Sequence, residues 1–531
     1  YSLKEPDEGR YAEIPREMVE QGDYLVPHFN YVRYFEKPPL LYWVVAASYK
    51  IAGVSESSFR FPNALAGLFC TLVLFWAGRR WFSAEVGLLS AVILMSSFGF
   101  FVTARIVTTD LLFATLLFAT IVSFNEYFRG RKTIYLYLFY VFLALATLAK
   151  GPVAVLLVGL TILVYLYSLK ELGILKRVLN VKGLLLYALV AMPWFLVMSV
   201  SEKGFFDFFF IDQHILRFVT NKHDRSGPIY YFIPVIAAGM LPWSFFIPRA
   251  ITTLWKSREL RLFFVWSFIV FLFFSLSGSK LPPYVLPVFP ALSLILGYLF
   301  GNRSQESVQM TKEMGIIIFF FVVASAAGLL AASGVIGRFI TSGTDAQILV
   351  ADTKGFQVGL TIVSATAAAL CMWKRMRRFS SVYYICACFS LLLIIGIMMN
   401  SDVIDRMKTS KHMAESINTI DTRAPLLVNY HSFEESIPFY TEKRVYIVDY
   451  KGELEMGAEY PDARPYFLDE NSFKALFSSD QPVLVILKSK RLSQFKESNG
   501  PAELLKCSDE LCLIANKAHL NRRENGPIYT F

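Results

Sequence analysis

The run at residues 374–399, KRMRRFSSVYYICACFSLLLIIGIMM, joins four basic side chains directly to a long apolar block. A helix of about twenty apolar residues crosses a hydrocarbon core of roughly 30 Å. Lys and Arg beside such a block mark the cytoplasmic side of a membrane. The run therefore predicts a transmembrane helix that begins in the cytoplasm.

The same pattern repeats through most of the chain. Of the 531 residues, 55% are hydrophobic and only 18% are charged, whereas soluble domains carry roughly 25% charged residues. Residues 400–531 have an ordinary soluble composition. We predict twelve spans, near residues 59–78, 84–104, 111–128, 133–149, 153–169, 183–200, 228–248, 262–277, 282–300, 314–333, 356–373 and 380–399.

Basic residues concentrate in alternate loops between these blocks, which the positive-inside rule places in the cytoplasm. Every other loop, the N-terminal segment and the C-terminal part are then external. This topology explains the net charge of +10 without nucleic-acid binding. The basic loops carry Arg79 and Arg80; Arg129, Arg131 and Lys132; Lys170, Lys176, Arg177 and Lys182; Arg249, Lys256, Arg258 and Arg261; Arg303 and Lys312; and Lys374, Arg375, Arg377 and Arg378.

Residues 38–53, PPLLYWVVAASYKIAG, are apolar but are predicted to form an interfacial helix. Counting them as a span would move every basic loop to the outside. An amphipathic helix is expected at 6–22. The predicted domains are therefore a first external loop with juxtamembrane helices (1–58), a transmembrane domain (59–399) and a C-terminal external domain (400–531). We expect the numbering to begin just after a first span.

The C-terminal part reads as a small α/β domain. PLLVNY, RVYIVDY, PVLVILK and LCLIANK are predicted strands, with helices near 402–417, 432–440, 470–478 and 490–497. Cys507 and Cys512 would form a disulfide in an oxidising compartment. The chain has no Walker loop or dinucleotide-binding glycine pattern, which argues against ATP or a nucleotide sugar as cofactor or donor.

Charged residues recur at the external ends of the predicted spans and in the external loops. They lie in Asp7-Glu8-Gly9-Arg10, in Glu36-Lys37-Pro38-Pro39, in Thr108-Thr109-Asp110 and in the loop 201–227, and Lys150 and Lys280 lie at the outer ends of spans. Such residues are costly near a membrane and mark functional sites. A cavity of carboxylates and cations at this face suits a lipid-linked sugar donor, whose phosphate binds Arg and Lys.

The run at 7–43, DEGRYAEIPREMVEQGDYLVPHFNYVRYFEKPPLLYW, closely resembles the first external loop of the bacterial lipid A 4-amino-4-deoxy-L-arabinose transferases. These are membrane C-type (GT-C) glycosyltransferases related to protein O-mannosyltransferases. The resemblance implies an α-helical polytopic GT-C fold whose first family span is absent here, and a Gram-negative inner membrane with a periplasmic catalytic face. It extends to TTDLL (108–112), LAKGP (148–152), QHILRF (213–218), GPIYYFIPV (227–235), SKLPPYVLP (279–287) and SIPFYTEKRV (436–445).

The resemblance also implies roles for individual residues. Asp7 and Asp110 match acidic residues required for transfer. Glu36, with His214 or alternatively His223, matches a metal site that implies zinc. Arg10 and Lys37 match cations around the carrier phosphate, and Tyr284 matches a tyrosine near it. Lys150, Arg217 and Lys280 are further cations at the external face that we expect near this phosphate.

The implied reaction moves the sugar from undecaprenyl phosphate to a lipid A phosphate, with inversion at the anomeric carbon. A phosphate acceptor is already anionic and needs no strong general base; for a hydroxyl acceptor, Asp7 would be the base. Transfer to protein or to another glycan remains an alternative. A lipid-linked sugar transporter should show internal repeats or charged broken helices at mid-membrane, and a non-catalytic scaffold needs no converging charges.

Each candidate residue also has a purely structural interpretation. Asp7 and Asp110 could complement the positive end of a helix, and Lys37 could anchor an interfacial helix by snorkelling. Lys150 and Lys280 could mark helix breaks. His214 and His223 could be ordinary loop histidines.

Overall fold

The computed structural model describes residues 1–216, 227–302, 312–333, 353–373, 378–401, 403, 409–420, 425–499, 502–508 and 510–518. Two compact units are present. The helical unit comprises Lys37–Leu41 and Arg60–Ile404. The αβ unit comprises Tyr1–Glu36, Tyr42–Phe59 and Asp405–Phe531.

Long apolar helices build the helical unit. Within the described residues, seven helices are long and apolar enough to cross a membrane, and two bent helix pairs raise this to nine if each pair is one span. Each of the twelve predicted segments coincides with a helix or a bent pair. Three of these helices are too short to count among the seven that could cross a membrane. In chain order the helices are α3 (Glu56–Trp81), α4 (Ala84–Ser96), α5 (Phe98–Arg105), α6 (Thr109–Gly130), α7 (Thr133–Lys150), α8 (Val153–Ser168), α9 (Leu175–Val178), α10 (Val181–Ser201), Phe232–Gly239, Ile247–Leu254, Arg261–Leu276, Val288–Asn302, Lys312–Ala332, Lys354–Met372 and Phe379–Met399.

Two predicted spans contain a sharp break. Helices α4 and α5 meet at 64° at Ser97, whose backbone is extended, and Phe232–Gly239 meets Trp243–Leu254 at 113°. Pro242 lies in the second break, where it cannot supply a backbone N–H to a continuing helix. Residues 207–216 form a π-helix, a form that is rare and frequent at functional sites.

The αβ unit contains a six-stranded sheet in the order β5-β4-β3-β6-β8-β7. Strands β3, β4, β5 and β6 run parallel to one another. Strand β8 is antiparallel to both of its neighbours, β6 and β7. The four predicted strands are confirmed as β3, β4, β6 and β8. Strands β5 and β7 were not predicted. The strands are β3 (Leu426–Tyr430), β4 (Val445–Val448), β5 (Phe467–Leu468), β6 (Val483–Lys488), β7 (Ala502–Cys507) and β8 (Leu511–Asn516).

Helices and apolar side chains cover both faces of this sheet. Met413 and Ile417 pack on one face, and Phe473, Phe477 and Phe495 pack on the other. A disulfide joins Cys507 and Cys512 across β7 and β8. The helices are Lys411–Thr419, Ile437–Thr441, Glu470–Phe477 and Leu492–Asn499.

Apart from Lys37–Leu41, the N-terminal segment belongs to the same unit as this sheet. It contains α1 (Asp7–Gln21), the short hairpin β1 (His28–Phe29) and β2 (Val32–Arg33), and α2 (Leu40–Ala52). The Glu5 carboxylate accepts hydrogen bonds from the backbone N–H groups of Glu435 and Ser436 at 3.0 and 2.9 Å. No local sequence pattern predicted this association between residues more than 400 positions apart.

Candidate functional site

Asp110 lies in the first turn of α6, and Thr108 caps that helix. The Thr108 hydroxyl oxygen accepts a hydrogen bond from the Asp110 backbone N–H at 3.3 Å and lies 3.1 Å from Asp110 Oδ2. The other carboxylate oxygen, Oδ1, forms an ion pair with Lys150 Nζ. The Thr108 hydroxyl thus contacts one oxygen of the Asp110 carboxylate, and Lys150 contacts the other.

Lys150 is the last residue of α7, and its ammonium group is largely enclosed. The nitrogen lies 4.6 Å from the ring centroid of Tyr284 and 5.5 Å from that of Phe113. An ammonium group over an aromatic face gains electrostatic attraction. The structure thus brings together three predicted site residues, Asp110, Lys150 and Tyr284.

His214 lies on the π-helix beside the same lysine. Its Nδ1 is 2.6 Å from the Phe209 carbonyl oxygen, and its Nε2 is 3.4 Å from the Lys150 carbonyl oxygen. The tautomer that donates through Nδ1 presents a lone pair on Nε2, which is the arrangement of a metal-ligating histidine. Gly151 has φ of +92°, and a Cβ there would collide with His214 Nε2. The Gly-Pro after Lys150 therefore makes room for the imidazole.

Lys280 is buried four residues before Tyr284. Its ammonium group donates to the Ser277 carbonyl oxygen at 2.7 Å, and the Tyr284 ring packs against Phe274 with centroids 5.1 Å apart. Lys37 is half-buried in the helical unit. Arg217 and His223 lie outside the residues that the structure describes.

Arg10 is the centre of a second group, in the αβ unit. Only 3% of its side chain is exposed, and it lies 2.6 Å from Asp7 and 3.5 Å from Glu435. It also forms an ion pair with Glu453, which accepts a hydrogen bond from the Tyr34 hydroxyl at 2.9 Å. The predicted Arg10 is therefore surrounded by carboxylates, of which Glu435 and Glu453 were not predicted.

Glu36 also contributes to the electrostatic environment of Glu435, which belongs to the group around Arg10. Burial raises the pKa of Glu435 to about 8, with further contributions from Glu5, Asp7 and Glu36 against the lowering effect of Arg10. Glu36 itself is buried. Three predicted residues, Asp7, Arg10 and Glu36, thus act on one buried carboxyl. Glu435 directly precedes SIPFYTEKRV, so the resemblance in that run was the signal closest to it.

The predicted metal ligands Glu36 and His214 belong to different compact units, so their pairing stays a prediction. A different group in the αβ unit has metal-binding chemistry: His431, Asp449 and Glu470 each offer a ligand atom, and these atoms lie within 4.8 Å of one another. The sequence did not single out this triad.

Two families match parts of the chain. Residues 5–209 match the dolichyl-phosphate-mannose-protein mannosyltransferase family, and residues 413–516 match the aminoarabinose transferase C-terminal domain. The second match covers all six strands of the C-terminal sheet. Together the matches include both groups of candidate residues except Tyr284, Lys280 and His214.

Similarity to individual proteins extends over nearly the whole chain. An undecaprenyl phosphate-α-4-amino-4-deoxy-L-arabinose arabinosyl transferase of Proteus mirabilis is 27% identical, over 95% of this chain and 92% of that protein. The corresponding enzyme of Yersinia enterocolitica is 27% identical, over 96% of this chain and 94% of that protein.

A solved structure is similar over the same length. The crystal structure of ArnT from Cupriavidus metallidurans bound to undecaprenyl phosphate has a TM-score of 0.84 and 26% identity, covering 97% of this chain and 94% of that chain. The similarity therefore includes both the helical GT-C fold and the C-terminal sheet.

Proposed function

Because this chain belongs to the aminoarabinose transferase family of membrane glycosyltransferases, we propose that it transfers 4-amino-4-deoxy-L-arabinose from undecaprenyl phosphate to a lipid A phosphate. The end-to-end similarity to arabinosyl transferases carries this proposal. The reaction takes place at the periplasmic face of a bacterial inner membrane, where both lipid substrates present their headgroups.

In this reaction the bond between the sugar's anomeric carbon and the carrier phosphate oxygen breaks, and a bond to the acceptor oxygen forms. The departing undecaprenyl phosphate takes the electron pair and gains one negative charge. The acceptor phosphate is already an anionic nucleophile. The enzyme must therefore align the two lipids and neutralise the leaving phosphate.

Lys150 is the cation that we assign to the leaving phosphate. Asp110 and the Tyr284 ring fix the position of its ammonium group, which has three N–H donors. A donor held in place before the reaction avoids the cost of reorganisation. The Asp110 carboxylate also suits the cationic amine of an aminoarabinose.

Asp7 and Arg10 are assigned to the same reaction from the αβ unit. The Asp7 side chain is 52% exposed although its partner Arg10 is buried, so Asp7 is accessible to a substrate. Arg10, enclosed by Glu435 and Glu453, positions Asp7 rather than acting as a mobile phosphate ligand. Glu36 and His214 stay the predicted zinc ligands, one in each compact unit.

Transfer to protein is a second candidate function. The observation in its favour is the match of residues 5–209 to a protein mannosyltransferase family. A hydroxyl acceptor would need a general base, for which the exposed Asp7 carboxylate is suited. The two functions share a donor and differ in the acceptor.

The test is transfer by purified protein in liposomes that contain radiolabelled undecaprenyl phosphate-aminoarabinose, lipid A and a membrane-protein fraction. We expect label in lipid A with the wild-type protein and a loss of about 10²-fold or more with Asp110→Asn. Asp480→Asn, a change at an exposed aspartate of the αβ unit, should keep wild-type transfer.

Label in the protein fraction alone would replace lipid A by a protein acceptor. Equal transfer by Asp110→Asn and Asp480→Asn would remove the role assigned to Asp110. No transfer to either acceptor by folded wild-type protein would contradict the proposed function.

A further inference from the structure

Three side chains with metal-binding chemistry meet at one edge of the αβ sheet. His431 directly follows β3, Asp449 directly follows β4, and Glu470 lies two residues after β5. These strands are adjacent and parallel, so their carboxyl ends lie at the same edge. In open α/β sheets this edge is where ligands bind.

The contacts of Glu470 point to a missing partner. Its Oε1 lies 2.6 Å from His431 Nε2 and accepts a hydrogen bond from the Tyr430 hydroxyl at 2.7 Å. Its Oε2 is buried and has no hydrogen-bond partner within the part of the chain that the structure describes. A buried carboxylate oxygen without a partner is costly unless a ligand satisfies it.

The Glu470 carboxylate also has an outer hydrogen-bond partner, the Tyr430 hydroxyl, which donates to Oε1. Tyr430 orients it in the way that outer hydrogen bonds orient metal ligands.

A cleft of about 410 Å³ adjoins the triad. Asp449 lines it together with Tyr450, Lys451, Leu468 and Asp469. A metal held by three side chains keeps a coordination position for water or another ligand. Here the cleft provides the space for that position, beside the cationic Lys451.

We propose that His431, Asp449 and Glu470 bind a divalent transition metal, with one coordination position open to the cleft. One imidazole nitrogen and two carboxylates suit Zn²⁺ or Mn²⁺ better than Mg²⁺, which prefers an all-oxygen set. This site shares no residue with the predicted Glu36 and His214 pair, and it does not depend on the proposed transfer reaction.

The experiment counts metal in the full-length protein. Purified protein in detergent is stripped with a chelator, dialysed against buffered Zn²⁺ and assayed by elemental mass spectrometry. Glu36→Gln serves as the background, so that a second zinc site does not mask the result. We expect Glu470→Gln and His431→Asn to bind one equivalent of Zn²⁺ less per chain than this background.

The substitutions are chosen to preserve the fold. His431 has φ of +52°, which Asn tolerates better than most residues, and Gln keeps the shape of Glu470. The matched control is the exposed pair His412 and Glu415, whose side chains lie 3.3 Å apart; His412→Asn and Glu415→Gln should leave the zinc content unchanged.

The thermal unfolding midpoint gives an independent readout. Zn²⁺ should raise the unfolding midpoint of the Glu36→Gln protein. It should not raise the midpoint of the double variant that also carries Glu470→Gln, because only the Glu36→Gln protein keeps the triad that binds the ion in the folded state. No bound zinc in the background protein, or equal zinc content in triad and control variants, would overturn the proposal. In either case His431 and Glu470 would form only an ion pair.

Discussion

Lys150 is the residue on which the proposed chemistry of the helical unit most depends, because its ammonium group contacts both Asp110 and the Tyr284 ring. We predict that Lys150→Gln lowers the rate of sugar transfer by about 10²- to 10³-fold, the usual effect of removing one electrostatic donor from an active site. The rate is measured in liposomes at saturating donor. Lys176→Gln, at an exposed lysine of a predicted cytoplasmic loop, is the control.

The double variant gives a sharper test of the pair. If Asp110 acts by holding Lys150, then Asp110→Asn combined with Lys150→Gln should lose little more than Lys150→Gln alone, because residues that act as a unit are not additive. Multiplied losses would show that the two side chains act independently, as expected if Asp110 binds the sugar amine, and would contradict a role for Asp110 in holding Lys150.

A second prediction at the residue scale concerns the space beside Gly151. Its φ of +92° and the nearness of His214 Nε2 both oppose a side chain. We predict that Gly151→Ala destabilises the protein by about 1–3 kcal/mol and also lowers transfer, because the methyl group displaces the imidazole. Thermal unfolding and transfer are both measured. Gly159→Ala, inside α8 with open space around its Cβ, should be neutral or slightly stabilising, and an equal loss at both glycines would refute the steric argument.

At the scale of elements, Asn30 attaches the N-terminal segment to the sheet. Its side-chain amide donates to the Val445 carbonyl oxygen and accepts from the Val445 N–H, both at 2.8 Å and both buried. The amide thus substitutes for a neighbouring strand beside the start of β4. Its backbone φ of +55° is one that asparagine tolerates.

We predict that Asn30→Ala lowers the free energy of unfolding of the αβ unit by about 2–4 kcal/mol, because two buried backbone groups lose their partners. Calorimetry of the full-length protein measures the loss, and hydrogen exchange should show faster exchange at the Val445 amide. Asn418→Ala is the matched control, since the Asn418 amide makes one exposed hydrogen bond, to the Tyr440 carbonyl oxygen. If Asn30→Ala lowered the free energy of unfolding by less than Asn418→Ala, Asn30 would not attach the N-terminal segment to the sheet.

Local patterns predicted the elements whose signal is long or strongly periodic. The apolar blocks became helices, and β3, β4, β6 and β8 follow short apolar runs. Strand β5 has two residues, and β7 is largely exposed, so neither carries an apolar pattern. A hydropathy profile does not show the breaks at Ser97 and Pro242 or the π-helix, because it records apolarity and not backbone geometry.

At the scale of the whole molecule, the candidate residues divide according to how far apart they lie in sequence. Asp110 and Lys150 lie at the same predicted face of consecutive spans, so their meeting could be expected. Glu435 and Glu453 contact Arg10 across more than 400 positions, and no periodicity carries that information. The resemblance in the C-terminal run indicated that this region matters, but not that its carboxylates enclose Arg10.

The Glu435 carboxyl makes the stability of the αβ unit depend on pH. Burial raises the pKa of Glu435 from its ordinary 4.5 to about 8 in the folded protein, so the folded state binds a proton that the unfolded chain releases above pH 4.5. The stabilisation is fully present below pH 4.5 and is lost as pH rises toward 8. For one group the slope cannot exceed about 1.4 kcal/mol per pH unit.

We therefore predict that the unfolding midpoint of the αβ unit falls between pH 5 and pH 8 and that Glu435→Gln flattens this fall, because the amide stays neutral at every pH. The measurement is calorimetry of the full-length protein in detergent at half-unit steps of pH. Glu415→Gln, at an exposed glutamate of the same unit, should keep the wild-type slope. A wild-type midpoint that rises over this range, or a Glu435→Gln variant with an unchanged slope, would show that Arg10 keeps the Glu435 carboxylate ionised, and the buried group around Arg10 would then be a network of fixed charges.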